Sequence, residues 1–265
     1  MLYLKNIYEF LRDFPSLELR DQISPSNVSG TIPNVVYQTW ENKKFGRTHF
    51  TSNILFRKRN RGFTFKLYDA AERDCYISYR WKGSPLEEMY VRARFGQIKA
   101  DLFRYMILFD LGGLYFDISK AITRPLRTLI QPEIDGIISF ENNRRLESKA
   151  NRNLTSMPDN LVLQWGFGFA PRHELLSTVL SQIEQRFSDY KNVVQRNPKQ
   201  AILELTGPVA FTDSVEIFFS KFPYNKVKQV GIDFDGSAIL SLPGSAARHK
   251  LVPAYALASN EKLFR

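Results

Sequence analysis

The stretch from Ile98 to Arg124, IKADLFRYMILFDLGGLYFDISKAITR, decides how the rest of the chain is read. Taken with Phe95 just before it, its first half sets Ile98, Leu102, Met106 and Phe109 at steps of three and four, the apolar stripe of an amphipathic helix. Asp101 and Arg104 then leave that helix on another side. Gly112 and Gly113 can take the left-handed conformation that ends a helix. Leu114-Tyr115-Phe116 after them is too short and too aromatic for anything but a buried strand. Helix therefore feeds strand, and the strand ends on Asp117. A carboxylate at the end of an interior strand is costly to bury unless a cation, an arginine or a hydrogen-bonding ligand meets it, so position 117 is a predicted site.

At this point the residues resemble a known pattern. The sugar-binding region of glycosyltransferase family 32 reads roughly A-x-x-[SA]-D-x-x-R-Y-x-x-L-x-x-x-G-G-x-Y-x-D-x-D, and the family takes in fungal outer-chain mannosyltransferases and bacterial capsular polysaccharide glycosyltransferases. Here the pattern stands as Ala100-Asp101, Arg104-Tyr105, Leu108, Gly112-Gly113, Tyr115 and Asp117, with Ser119 at the second acidic position. The resemblance implies a GT-A type, Rossmann-like α/β domain with a mixed, mainly parallel sheet. It implies a retaining hexosyltransferase that forms an α-linkage from a nucleotide-sugar donor. It also implies that Asp101 and Arg104 contact hydroxyls of the transferred sugar, with Asp117 as the third catalytic residue.

Working outward, Val35-Val36-Tyr37 after Ile32-Pro33 reads as the first strand and ends at Gln38-Thr39-Trp40. This resembles the family's I-P-K-x-[IV]-H-Q-x-W segment, which makes Gln38, Thr39 and Trp40 candidates for the donor site together with Tyr105, Asp101, Arg104 and Asp117. Trp40 either packs at the strand end or lies beside the ligand. Residues 53–61 read as a helix whose Arg57, Lys58, Arg59 and Arg61 form a solvated face, or else a phosphate or membrane-lipid patch. Phe63 to Tyr68 alternates as a half-buried strand, and Asp69-Ala70-Ala71-Glu72 has the spacing of a capping box. Ser84-Pro85-Leu86-Glu87 is a second helix start with proline at the first helical position. Strand and helix thus alternate from the beginning, as a Rossmann-like sheet requires.

Beyond Asp117, residues 136–140 read as a strand, 141–159 as a polar loop, 161–169 as strand-like and 175–187 as a helix. Lys199 to Leu205 is a helix that stops at Thr206-Gly207-Pro208, and a further helix follows over 209–222. The T-G-P turn is a second landmark of the family, a hundred residues from the first. Residues 228–233 and 239–242 read as strands. The tail carries Ala247-Arg248-His249-Lys250, where family members often finish with a His-rich, Gly-Ser-Trp element near the donor diphosphate; no such tryptophan follows His249. Residues 1–30 are read as an N-terminal helix (1–20) with a linker, and 31–265 as the catalytic domain.

With 43% hydrophobic residues and 14% aromatics in 265, the chain can bury one large core. Its net charge of +10 favours phosphate-bearing ligands or an anionic membrane surface. Nothing resembling a nucleic-acid module accompanies that charge, so no nucleic-acid partner is expected. The single cysteine, Cys75, rules out an internal disulfide and reads as a small buried hydrophobe. No run approaches the ~18 apolar residues of a membrane span. The expected setting is therefore cytoplasmic, with membrane contact at most peripheral.

Breaking a bond between a sugar and a nucleoside diphosphate leaves negative charge on the departing group, and something positive must meet it. In relatives a Mg²⁺ or Mn²⁺ ion held by the D-x-D carboxylates does so. Asp117, Ser119 and His249 are the candidate ligands here. Ser119 offers only a neutral hydroxyl, so either the cation is held more weakly or Arg and Lys act directly on the phosphates. The expected partners are a UDP- or GDP-sugar and a glycan or lipid-linked oligosaccharide acceptor. The same substitution at Ser119 motivates a second reading, a catalytically silent module that binds nucleotide sugars or phosphate.

Overall fold

The computed structural model describes residues 13–25, 30–142, 160–250 and 258–265. At its centre is a six-stranded sheet built from β1 (Val35–Thr39), β2 (Thr64–Tyr68), β3 (Gly113–Phe116), β4 (Gly136–Phe140), β5 (Gly166–Phe169) and β6 (Val227–Ile232), in the spatial order β6-β4-β5-β3-β1-β2. The pairings β1 with β2, β1 with β3 and β4 with β6 are parallel. Only β5 runs against its neighbours, β3 and β4. The carboxyl ends of β1, β3 and β4 therefore share one edge with the entry to β5, and that edge holds the site.

Helices α1 (Arg47–Arg59), α2 (Ala70–Arg80), α3 (Pro85–Arg92), α4 (Gly96–Leu111), α5 (Glu174–Tyr190), α6 (Pro198–Leu205) and α7 (Pro208–Lys221) cover the sheet. Two buried layers result. One packs α3, α4, α5, α6 and α7 on one side of the sheet through residues such as Leu102, Phe103, Phe167, Leu176 and Phe211. The other joins Val36, Phe56, Phe65, Leu114, Phe116 and Ile137.

Helix α4 is the piece on which the rest is assembled. It has no side-chain cap at its start, so its stability comes from burial. Ile98, Leu102, Phe103, Met106, Ile107 and Leu108 are all fully buried, at roughly 1.5–3 kcal/mol for each such side chain. The apolar stripe read from the sequence is only part of this surface. Arg104 and Asp101 are buried as well, because α5 to α7 close over the side on which an amphipathic helix would meet water. Gly112 (φ 63°) and Gly113 (φ 107°) make the turn into β3. A Cβ on Gly113 would stand 2.7 Å from the Val35 carbonyl oxygen, so the turn needs glycine for both conformation and space.

The two predicted helix starts form as read. Asp69 accepts from the Glu72 amide while the Glu72 side chain accepts from the Asp69 amide, and Ser84 accepts from the Glu87 amide. Other expectations change. Helix α1 begins at Arg47, six residues before the sequence reading, and Arg57 turns inward, donating to the Gln38 side chain (2.9 Å) and the Arg20 carbonyl. Cys75 is exposed, not buried. Of the expected N-terminal helix, residues 1–12 lie outside the described residues, as do linker residues 26–29. Over the described part, Leu17–Glu18 instead pairs with Lys44–Phe45, and Gln22 bridges to Phe65 along the free edge of β2. Leu19 is wholly buried there with Phe45, Leu67 and Ile118. An edge strand with unpaired backbone groups is a stronger demand than the weak helical pattern. Residues 143–159 of the predicted polar loop also lie outside the described residues. The strand-like 161–169 segment is a true strand only over β5, with a single bridge from Val162 to Phe140 before it.

Candidate active site

A cavity of about 730 Å³ opens at the carboxyl edge of the sheet. Thr39 and Trp40 border it from the end of β1, Asp117 and Ser119 from the end of β3, and Glu141 from the end of β4. Gln164 and Trp165 reach it from the entry to β5, Asp101 and Arg104 from α4, and Arg248 and His249 from the C-terminal segment. The reversed direction of β5 is what brings Gln164 and Trp165 to this edge. The Asp117 amide is anchored there by the Trp165 carbonyl at 2.8 Å.

Arg104 holds the floor together. Its Nη2 lies 3.2 Å from Asp101 Oδ1 and 3.2 Å from Asp117 Oδ1, and its Nη1 donates to the Gln164 carbonyl at 2.8 Å. The guanidinium carbon sits 4.7 Å from the centre of the Tyr115 ring, a cation–π contact. Tyr115 in turn donates its hydroxyl to Asp117 Oδ1 at 3.1 Å. Asp101 and Arg104 are almost fully enclosed, whereas the Asp117 side chain keeps 31% of its surface exposed. Asp117 therefore has an ion-pair partner and also an open face on the cavity.

Burial dominates the ionisation of Asp101. It pushes the carboxyl up to about 7, against the pull of Arg104 and of the Thr206 hydroxyl, which donates to Oδ2 at 2.9 Å. For Arg104 burial acts in the opposite sense, yet Tyr115, Asp117 and Asp101 outweigh it and raise its pKa. The guanidinium is thus a fixed cation, and Asp101 is a carboxyl poised between donor and acceptor of a hydrogen bond. Glu141 is likewise pushed up to about 7, first by burial, with Lys120 opposing and Asp233 adding to the shift.

The loop from Asp117 to Ser119 is gripped from behind. His49 Nε2 lies 2.9 Å from the Ile118 carbonyl, and Asn53 donates to the same oxygen at 3.3 Å. Burial lowers the His49 pKa to about 4, so the ring is neutral and Nε2 carries the donated hydrogen.

Among the residues singled out from sequence, Asp101, Arg104, Asp117, Ser119, Thr39, Trp40 and His249 all border the cavity. Gln38 and Tyr105 do not. Gln38 is fully buried and receives Arg57. Tyr105 is fully buried, donates to the Thr206 carbonyl at 3.1 Å and accepts from the Gln164 side chain at 2.7 Å. Both face inward because strand and helix positions next to a site residue point to the other side of the element. Sequence reasoning missed Gln164, Thr206, Glu141 and Arg248. Thr206 had a signal in the T-G-P turn and Arg248 in the tail segment next to His249; Glu141 had none that pointed to a cavity.

The three candidate metal ligands supply one carboxylate, one hydroxyl and one imidazole. Asp117 Oδ1 is already taken by Arg104 and Tyr115, and the His249 ring stands edge-on to Trp40 with centroids 5.5 Å apart. Among the described residues no group of three or more His, Cys, Asp or Glu could hold a metal ion. A hard divalent cation prefers several charged oxygens, so this donor set fits one poorly.

A mixed, mainly parallel sheet flanked by helices, with a polar cavity at the carboxyl ends of its strands, defines an α/β protein of GT-A-like fold. The solved PaToxG Glycosyltransferase has the same fold, with a TM-score of 0.53 at 13% identity over 84% of this chain and 76% of that one. Residues 33–135 match the family described as "Glycosyltransferase sugar-binding region containing DXD motif". Two similar curated proteins are both named Initiation-specific alpha-1,6-mannosyltransferase. The one from Candida albicans is 25% identical over 74% of this chain and 56% of its own length; the one from Schizosaccharomyces pombe is 23% identical over 69% and 48%. The chain spans about half the length of these relatives. Among the described residues no helix is long and apolar enough to cross a membrane.

Proposed function

We propose that this protein is a retaining glycosyltransferase that moves a hexosyl group from a nucleotide-sugar donor to a glycan or polysaccharide acceptor and forms an α-linkage. The reading rests above all on the Asp101–Arg104–Asp117 cluster, held rigid by 3.2 Å ion pairs yet open on one face to a cavity large enough for a nucleotide sugar. In this reading Thr39 and Trp40 border the nucleoside end, while Asp101 and Arg104 hold hydroxyls of the sugar. A carboxyl bridges vicinal hydroxyls, and a guanidinium presents a planar fork to oxygen acceptors.

During transfer the bond from the anomeric carbon to the diphosphate oxygen breaks as a bond to the acceptor oxygen forms. For a retaining enzyme that attacks from the front face, the acceptor's proton passes to the departing diphosphate. Asp117 keeps Arg104 and Tyr115 oriented around the reacting centre, a role in which a displacement of 1 Å is costly.

The test is donor hydrolysis and transfer with a panel of UDP- and GDP-hexoses, comparing the wild type with Asp117→Ala. The variant is expected to be slower by about a hundredfold or more, the usual cost of losing a preorganised charged group, with an unchanged unfolding midpoint. Equal turnover in the two proteins contradicts the proposal. The α-configuration of the product, read from its anomeric proton coupling, tests retention. Ser119 at the second acidic position favours one other reading, a silent nucleotide-sugar-binding module. Binding by thermal shift with no turnover on any acceptor supports that reading.

A further inference from the structure

Among the described residues, five cationic side chains border the cavity: Arg73, Arg94, Arg104, Lys120 and Arg248. Three are neutralised by carboxylates. Arg73 pairs with Glu41 at 3.3 Å, Arg94 with Glu261 at 3.2 Å and Arg104 with Asp101 and Asp117. Lys120 donates to the Leu240 carbonyl and lies within the field of Glu141. Arg248 differs from all of these. Its guanidinium carbon lies 5.0 Å from the centre of the Trp40 ring. One terminal nitrogen donates to the Ser245 carbonyl, its buried Nε has no hydrogen-bond acceptor among the described residues, and no carboxylate pairs with it there.

A buried guanidinium N–H without an acceptor costs free energy of the order of 1–3 kcal/mol, and more when the group is charged. A side chain kept in that condition at a cavity wall is complementary to an anion that arrives later. Its position selects which anion. Arg248 rests on Trp40, at the end of β1, and is close enough to Asp117, at the end of β3, to feel its charge. A nucleoside diphosphate sugar that spans from Trp40 to Asp101 and Arg104 must carry its diphosphate through that interval. The same interval is where Ser119 stands without the negative charge that would hold a dication.

We propose that Arg248 binds the donor's diphosphate directly and takes the place of a divalent cation in donor recognition. The inference rests on the glycosyltransferase reading of this cavity and deepens it. A guanidinium is permanently charged, matches phosphate oxygens with two parallel donors, and stacks on an indole without losing either property.

The experiment is calorimetric binding of UDP and of GDP to the full chain, in EDTA and in Mn²⁺. The wild type and two variants are compared, Arg248→Met, which keeps the packing on Trp40, and Arg248→Lys, which keeps the charge. Unfolding midpoints are followed in parallel. Expected is measurable binding of one nucleotide in EDTA, little changed by Mn²⁺. Arg248→Met should weaken it by about tenfold or more, Mn²⁺ should not restore it, and Arg248→Lys should recover part of it. The proposal is overturned if the wild type binds only with Mn²⁺ and Arg248→Met binds as well as the wild type. In that case the cavity still takes the donor, and the glycosyltransferase reading survives. Absence of binding to either nucleotide under both conditions overturns the proposal together with the reading on which it rests.

Discussion

Asp101 shows how far one side chain departs from what its sequence neighbours suggest. Three residues before Arg104 on a helix, it could be a surface partner contributing a few tenths of a kcal/mol. Enclosed by α4 and the Thr206 turn, it becomes a carboxyl that burial pushes up to about 7. Between the unfolded carboxyl's usual value and about 7, the folded protein holds a proton that the unfolded chain has released, so this group's contribution to stability falls as pH rises through that window. His49, held neutral by burial, acts in the opposite sense from about 4 to its ordinary value, so the wild-type curve alone does not isolate Asp101. The comparison with Asp101→Asn does. The variant should gain stability relative to the wild type as pH rises from about 4 to about 7, measured by denaturant unfolding across that range. A variant that loses ground over the same interval would mean that Asp101 is ionised and stabilising throughout. Asp117 was legible as a site residue because a strand end fixes where it points, whereas Asp101 and Arg104 were so only through the family resemblance, since helix spacing alone also allows a surface pair. Gln164 was not, because nothing local in sequence says that a reversed strand closes over the same cavity, and Arg248 was flagged only by the tail segment it shares with His249.

At the scale of elements, the helix-to-strand turn at Gly112 and Gly113 is where the reading from sequence and the observed structure coincide most closely. Gly113 combines a φ of 107° with a 2.7 Å approach of any added Cβ to Val35. Gly113→Ala should therefore lower the stability by about 1–3 kcal/mol and shift the β3 end on which Asp117 sits. The expected signature is a lower denaturation midpoint together with reduced turnover. A midpoint equal to the wild type would show that the turn has slack. Helix starts were readable for the same kind of reason, since Asp69 and Ser84 each act on an amide three residues away. The N-terminal stretch departs from the sequence reading because Leu17–Glu18 answers to Lys44–Phe45 and Gln22 to Phe65 on the open edge of β2, all far along the chain. Helix α4 was recognised, but the burial of its whole circumference over residues 101–108 depends on helices that follow far along the chain.

For the whole molecule the relevant quantity is the net charge of +10. Under the proposed function it makes the protein a field that draws anionic donors toward a cavity lined by several cations. Screening shortens the reach of that field to about 10 Å at 0.1 M salt, so donor association should slow as ionic strength rises while the rate at saturating donor changes little. Steady-state kinetics over a salt series read this as a rising KM at nearly constant kcat. A KM independent of salt would mean that the surface charge serves some other partner. The order of strands was foreseeable only as a class, because alternation of helix and strand predicts a mainly parallel sheet but does not say that β5 is the strand that reverses. That reversal sets Gln164 and Trp165 beside Asp117.

The central claim is that a donor sugar lies on Asp101, Arg104 and Asp117. A structure of the protein with its nucleotide sugar bound tests it most directly. The account predicts sugar hydroxyl oxygens within hydrogen-bonding distance of the Asp101 carboxyl and the Arg104 guanidinium, with the diphosphate between Trp40 and Asp117. A donor bound elsewhere, with the three side chains still contacting only one another, would contradict it.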